Sequence, residues 1–172
     1  ILVLSIGLVL SDEIELEFGD EVLLSPEGSA AHQKFPEVLS TDDGTLHLVW
    51  VRELGNNKNV IYCQSIDAGE TFSDPVRINQ NNNDIVAFIQ AGPKIKVRGD
   101  ELFIIYMDDR SGYTSIYMNR SLDNGSHWSD DILISDQSYL KAYPDIEVGP
   151  DGTLHIIYYS YNQNNSFNSV RY

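Results

Sequence analysis

Two stretches of the chain set a hydroxyl, a carboxylate and an aromatic ring at matched spacing. "SIDAGETF" carries Ser65, Asp67, Gly69 and Phe72, and "SLDNGSHW" carries Ser121, Asp123, Gly125 and Trp128. A serine beside a carboxylate could serve nucleophilic chemistry, which needs a histidine base within reach. His127 adjoins the second stretch, but residues 70–72 of the first contain no histidine. A nucleophile also has no reason to be copied once per repeat. The same residue types serve a tight corner: Ser and Asp oxygens accept nearby backbone N–H groups, Gly relieves the turn, and the ring folds back between sheets. Both stretches are read as turn architecture.

A second set of residues suits carbohydrate chemistry. Arg52, Arg110, Tyr113, Tyr159 and Tyr161 are candidate ligand-binding groups, and Asp108, Asp109 and Arg110 are the candidate catalytic groups. Tyrosine rings pack on the C–H faces of sugars, arginine forks hold carboxylates, and paired carboxyls supply acid and base. The competing reading of "DDRSG" is an Asp–Arg pair that fastens its loop. His47 and His155 occupy equivalent strand positions and are read as half-buried strand histidines rather than metal ligands. No metal site is assigned. Calcium is the one cofactor considered, through oxygen ligands at 41–44 and 80–84, and no loop there matches an EF-hand pattern.

The elements that must position these groups are repeated. The two Ser-x-Asp-x-Gly motifs lie 56 residues apart, from 65 to 121. Three segments open on a proline, at Pro36, Pro93 and Pro144, and each leads through a turn into an apolar strand: "LHLVW", "LFIIY" and "LHIIY". A third strand follows ("NVIYCQS", "SIYMNRS", "NSVRY"), and "PVRIN" and "DILIS" supply a fourth. Four short strands per unit of about 50 residues, without helical periodicity, predict an all-β propeller of four-stranded antiparallel blades. The expected layout is an outer strand at 21–25, blades at 36–79 and 93–135, and an incomplete blade at 144–172, so that 12–172 forms about half of a propeller.

Composition narrows the partners. A net charge of −15, from 11 basic against 26 acidic residues, excludes nucleic acid and anionic membrane surfaces as partners. Cys63 is the only cysteine, which excludes an internal disulfide. The run "ILVLSIGLVLS" at 1–11 is too short to span a bilayer and suits the apolar region of an export signal, with a buried first strand as the alternative. It predicts a secreted or cell-surface protein with no stable membrane span.

The two corner motifs, extended as "SIDAGETFSDP" and "SLDNGSHWSDD", resemble Asp-box (BNR) repeats, and the surrounding strands resemble the sialidase-like β-propeller superfamily over residues 21–172. Phe72 replaces the usual Trp in the first copy, and His127 the usual Thr in the second. The resemblance implies a structural role for both boxes, a six-bladed whole, and a binding site on the opposite face. A sialidase would also need three arginines, a tyrosine nucleophile helped by a glutamate, and an aspartate as acid/base. The family's first arginine belongs in a Phe/Tyr-Arg-Ile-Pro motif. Here "QKFPEV" keeps Phe35 and Pro36 without an arginine, which counts against sialidase activity. The expected function is glycan recognition by an exported sialidase-like propeller, with hydrolysis of terminal acidic sugars as its enzymatic form. The alternative is a non-catalytic scaffold that binds proteins or cell surfaces.

Overall fold

The computed structural model describes residues 4–5, 17–25, 30–81, 84–162, 164 and 167–172. Strand β1 (Leu4–Ser5) pairs antiparallel with β2 (Glu17–Phe18). The rest of the apolar run read as an export signal lies outside the described residues. Among the described residues no helix is long and apolar enough to cross a membrane.

Three antiparallel sheets resembling propeller blades follow in chain order. The first runs β3 (Ala31–Ser40), β4 (Leu46–Leu54), β5 (Asn57–Ser65) and β6 (Val76–Arg77), each paired with the next. In the second, β7 (Ile85–Val86) and β8 (Lys94–Arg98) both pair with β9 (Glu101–Asp108), which continues to β10 (Ser115–Ser121) and β11 (Ile132–Leu133). The third joins β12 (Lys141–Val148), β13 (Leu154–Tyr161) and β14 (Phe167–Arg171). The opening strands β3, β8 and β12 touch in succession, so the sheets fan outward from them. Residues 21–25, expected as an outer strand, form no ladder. They lie instead as irregular chain against the first sheet, with Val22 and Leu24 packed on Leu48, Trp50, Ile61 and Cys63.

The continuous apolar runs of β4 and β9 follow from burial on both faces. Val49, Val51, Val60 and Tyr62 of the first sheet pack against Ile95, Leu102, Ile104, Tyr106 and Tyr117 of the second. Phe103, Ile105 and Met118 on the second sheet's other side meet Ile146, Leu154 and Ile156 of the third. Sheets stacked in this way read as apolar at nearly every position rather than as alternating ones.

Side chains fasten the short outer strands at the 56-residue period. Val60 N–H donates to Asn79 Oδ1 at 2.8 Å, and Ile116 N–H to Ser135 Oγ at 3.0 Å. Gln64 N–H reaches Ser73 Oγ at 3.1 Å, and Arg120 N–H reaches Ser129 Oγ at 3.0 Å. Two ladder residues per outer strand suffice because these bonds hold the chain on either side of them.

The two corners are built alike. Ser65 Oγ accepts from Gly69 N–H at 2.8 Å and donates to Asp67 at 2.7 Å, while Asp67 accepts Thr71 N–H at 2.9 Å. Ser121 accepts from Gly125 N–H at 2.8 Å and donates to Asp123 at 2.9 Å, while Asp123 accepts His127 N–H at 2.8 Å. Neither serine is left free to act as a nucleophile. The second corner also roofs the first sheet: Trp128 meets Tyr62 edge to face with centroids 5.1 Å apart. A Cβ on Gly125 would lie 2.5 Å from the Tyr62 hydroxyl, and the residue's φ of 87° favours glycine as well. The corners share an end of the sheets with the turns between first and second strands, since Asn124 N–H donates to Asp100 O at 2.9 Å. The opposite end is therefore where the candidate binding loops gather.

Hydrogen bonds from Thr71 hold the Asp67 carboxyl at about 2, and those from His127 do the same for Asp123. Both lie below the ~3.9 of an unfolded aspartate, so the stability they contribute is complete above that value and is lost as pH falls towards 2. An Asp67→Asn, Asp123→Asn protein should melt below the parent at neutral pH. The gap should close between about pH 4 and pH 2 in thermal melts. A gap that stays constant over that range would rule the carboxylates out as the corners' fasteners.

Candidate functional site

The opening strands of the first and third sheets each bulge just before a proline. Pairing slips between Lys34 and Glu37 in β3, and between Ala142 and Asp145 in β12. Phe35 and Tyr143, the residues before Pro36 and Pro144, take left-handed conformations with φ of 56° and 51°. Such a conformation is strained for an aromatic residue, and the flanking ladder and proline hold it in place. The second sheet solves the same position differently. Its opening strand is broken into β7 and β8, and residues 87–93 leave the sheet between them, closed by a bridge from Phe88 to Ala91. Gly92 takes the place of Phe35 and Tyr143 before its proline. A Cβ there would sit 2.6 Å from Phe35 Cβ, so only glycine lets the two sheets approach this closely.

These departures from the repeat bring three rings together on the end opposite the corners. Phe88 meets Tyr143 edge to face at 5.1 Å, and Tyr143 meets Tyr159 at 5.4 Å. Phe88 and Tyr159 are exposed, and Tyr143 is half-buried between them. Sequence reasoning singled out Tyr159 but neither Phe88 nor Tyr143. The available signal was the uneven proline spacing: Pro36 to Pro93 is 57 residues and Pro93 to Pro144 is 51.

Arg110 and Asp108, expected as ligand-binding and catalytic groups, fasten the second sheet instead. Arg110 donates through Nε to Asp108 Oδ1 at 2.7 Å and through Nη1 to Asp131 Oδ2 at 2.6 Å, and its Nη2 also donates to Asp108. Its guanidinium lies 4.3 Å from the Tyr117 ring centre, and Asp108 is fully buried. Asp131 also accepts Tyr106 Oη–H at 2.9 Å, Asn119 Nδ2–H at 3.0 Å and Gln80 N–H at 3.2 Å, the last from the chain leaving the first sheet. Burial pushes the Asp131 carboxyl up, but the bonds from Arg110, Asn119 and Tyr106 outweigh it and hold the group below the usual range. The bond to Asp108 keeps Arg110 charged despite its burial. With both carboxylates already engaged, this arginine has no fork to offer a ligand.

Asp109, the neighbouring carboxyl, is exposed, and its N–H donates to Asp84 O at 2.9 Å. Partial desolvation raises its carboxyl above the ordinary value, and the Asp84 and Asp108 charges raise it further. Tyr113 is exposed and forms a separate aromatic pair with Tyr139 at 6.2 Å. Arg52 is half-buried within β4, where it pairs with Gln33 and Asn59. Tyr161 packs on the cluster of Ala91, Met107, Ile116 and Ala142. The structure thus joins Tyr159 to the aromatic run and gives Arg52, Tyr113 and Tyr161 other surroundings. Below the run, Lys94 pairs with Glu37 at 2.5 Å and Lys96 with Glu147 at 3.0 Å, stitching the three opening strands together.

His47 and His155 each meet a tyrosine hydroxyl, His47 with Tyr62 at 2.8 Å and His155 with Tyr172 at 2.5 Å. At one of the segments considered for calcium, Asp43 Oδ1 accepts from Thr41 Oγ1–H and Thr45 N–H within the turn. At the other, residues 82–83 lie outside the described residues. Among the described residues no group of three or more His, Cys, Asp or Glu is placed to hold a metal ion.

Neither a protein-family model nor a curated protein sequence matches the chain. Solved structures do. A thermostable family-43 glycoside hydrolase matches with a TM-score of 0.51 and 16% identity, over 91% of this chain and 56% of its own. The endo-arabinase from Bacteroides thetaiotaomicron VPI-5482 matches with a TM-score of 0.50 and 14% identity, over 93% and 62% respectively. The chain therefore spans rather more than half the length of these proteins. At such identities the likeness is one of fold: the sheets match part of a glycoside-hydrolase scaffold.

Removing Arg110 would leave two carboxylates without their cation, one of them fully buried. Arg110→Ala should cost about 3–5 kcal/mol in chemical denaturation, the range for breaking a buried ion pair from one side. An effect under ~1 kcal/mol, typical of surface pairs, would show that the network does not fasten the sheet.

Proposed function

We propose that the chain belongs to a carbohydrate-binding protein in which a sugar stacks on the run formed by Phe88, Tyr143 and Tyr159. The observation that carries this reading is the assembly of three rings, two of them exposed, by strained or interrupted strands at the end away from the corners. Aromatic faces suit the C–H surfaces of sugar rings, and fixed rings lose little conformational freedom on binding. The glycoside hydrolases among its structural likenesses favour the same ligand class. A secreted or cell-surface setting, where glycoconjugates and polysaccharides are met, goes with this reading. The missing arginine before Pro36 and the internal use of Arg110 both weigh against acidic sugars as the specific ligand.

Hydrolysis is the second reading, and Asp109 favours it. A carboxyl held above its ordinary value retains a proton longer as pH rises, which is what a general acid requires. A hydrolase that uses it in this way would lose activity as pH rises through that raised value, and Asp109→Asn would remove the limb.

Calorimetric titration with arabino-oligosaccharides, other neutral oligosaccharides and a sialoside tests the binding proposal. Saturable binding should weaken about 10-fold in Phe88→Ala and in Tyr159→Ala, close to the ~1.4 kcal/mol of one lost ring contact. Absence of binding across the panel, or binding untouched by both substitutions, would remove the stack as the site. Product release from the same sugars separates hydrolysis from binding alone.

A further inference from the structure

The end of the sheets that carries the aromatic run also carries a second pair of rings, Tyr113 and Tyr139, with centroids 6.2 Å apart. Tyr113 lies in the turn between β9 and β10, and Tyr139 in the connection from β11 to β12, so both belong to the second sheet and its link to the third. Tyr113 is 51% exposed, and Tyr139 is half-buried beside it. Both backbones are fixed. The Tyr113 carbonyl accepts from Ser111 Oγ–H and Ser115 Oγ–H, each at 3.2 Å, and Lys141 N–H donates to the neighbouring Thr114 O at 2.7 Å. Tyr139 takes a left-handed conformation with φ of 59°, strained for an aromatic residue. Lys141 holds it there: its fully buried ammonium donates to Ser138 O, to Tyr139 O at 3.3 Å and to Asp136 Oδ1 at 3.0 Å. Burying a lysine is costly unless its donors are met, and here they are met by the segment 136–139 that presents the ring.

We propose that Tyr113 and Tyr139 form a second sugar subsite, so that the ligand is a chain of neutral sugar units lying across this pair and the run of Phe88, Tyr143 and Tyr159. The inference rests on the run as the first subsite. Tyr139 and Tyr143 are four residues apart in sequence, which keeps their backbones within about 14 Å of each other. A single sugar ring covers one patch, and a few linked units reach the other. The cations of the two segments are already engaged: Arg110 with Asp108 and Asp131, and Lys141 within its own loop. What these segments leave at the surface are rings, hydroxyls and the carboxyls of Asp109 and Asp136, which suit uncharged sugars and repel acidic ones. Placing a second unit of an already bound chain is an intramolecular step, so affinity rises with chain length until both patches are filled.

Calorimetric titration of the whole chain with linear arabino-oligosaccharides and cello-oligosaccharides of about two to eight units tests the two subsites separately. In the parent, the longest member should bind about 10-fold tighter than the shortest member that binds. That ratio should fall to about 2 in Tyr113→Ala and in Tyr139→Gly, the second of which removes a ring where φ already favours glycine. Phe88→Ala should weaken binding at every length instead. Tyr139→Gly carries the test if the circular dichroism of Tyr113→Ala departs from the parent's. A parent ratio of about 1 overturns the second subsite and leaves the run standing. So does a ratio that survives either tyrosine substitution while Phe88→Ala still weakens binding. Absence of binding at every length, or binding that Phe88→Ala leaves untouched, removes the run and the second subsite with it.

Discussion

Tyr62 stands where two demands on a blade-like sheet meet. A sheet with both faces apolar must be covered twice, and its neighbour must also arrive in one register. Burial supplies the drive at roughly 25 cal/mol per Å², but it has no direction. Direction comes from the Tyr62 hydroxyl, held by His47 on its own sheet and roofed by Gly125 and Trp128 of the next. Because the corner fits only where glycine lies over the phenol, sliding one sheet along the other would drive backbone into the ring. The hydrogen bonds within each corner then keep the roof in shape, and the ion pairs between Lys94 and Glu37 and between Lys96 and Glu147 add charge matching along the opening strands.

The proposed sugar stack rests on the departures from this regularity. Where the repeat is obeyed, side chains are spent on fastening: Asn79 and Ser135 hold backbone, and Ser73 and Ser129 do the same. Where it is broken, ahead of Pro93 and Pro144, the chain places rings where solvent can reach them. The second sheet gives up a continuous opening strand to expose Phe88, and the third keeps Tyr143 in a left-handed conformation to stand beside it. Asp109 is left facing solvent while its neighbours Asp108 and Arg110 turn inward, so one short loop holds both a structural pair and a carboxyl of altered acidity.

The strands and corners were legible because their signals are local. Spacing, turn residues and apolar runs at 46–50, 102–106 and 154–158 mark them without reference to any distant residue. The segment 21–25 misled because its apolar residues serve packing rather than a ladder, and composition does not distinguish the two. Arg110 misled for a related reason: a charged loop residue reads as available until its partners are known, and Asp131 lies 21 residues further on. The aromatic run was hidden because Phe88 comes from the second sheet and Tyr143 and Tyr159 from two strands of the third, and no periodic pattern predicts where a strand will break.

The 56-residue identity of the fasteners has a consequence for how such a chain changes over generations. Ser65, Ser73 and Asn79 have counterparts at Ser121, Ser129 and Ser135, each serving the bond that its twin serves. An unequal crossover between two copies of the repeat would add or delete a whole sheet together with every bond that holds it. Lineages of this design can therefore lengthen or shorten in single steps without passing through an unfastened intermediate, while the broken strand at 87–93 stays free to diverge.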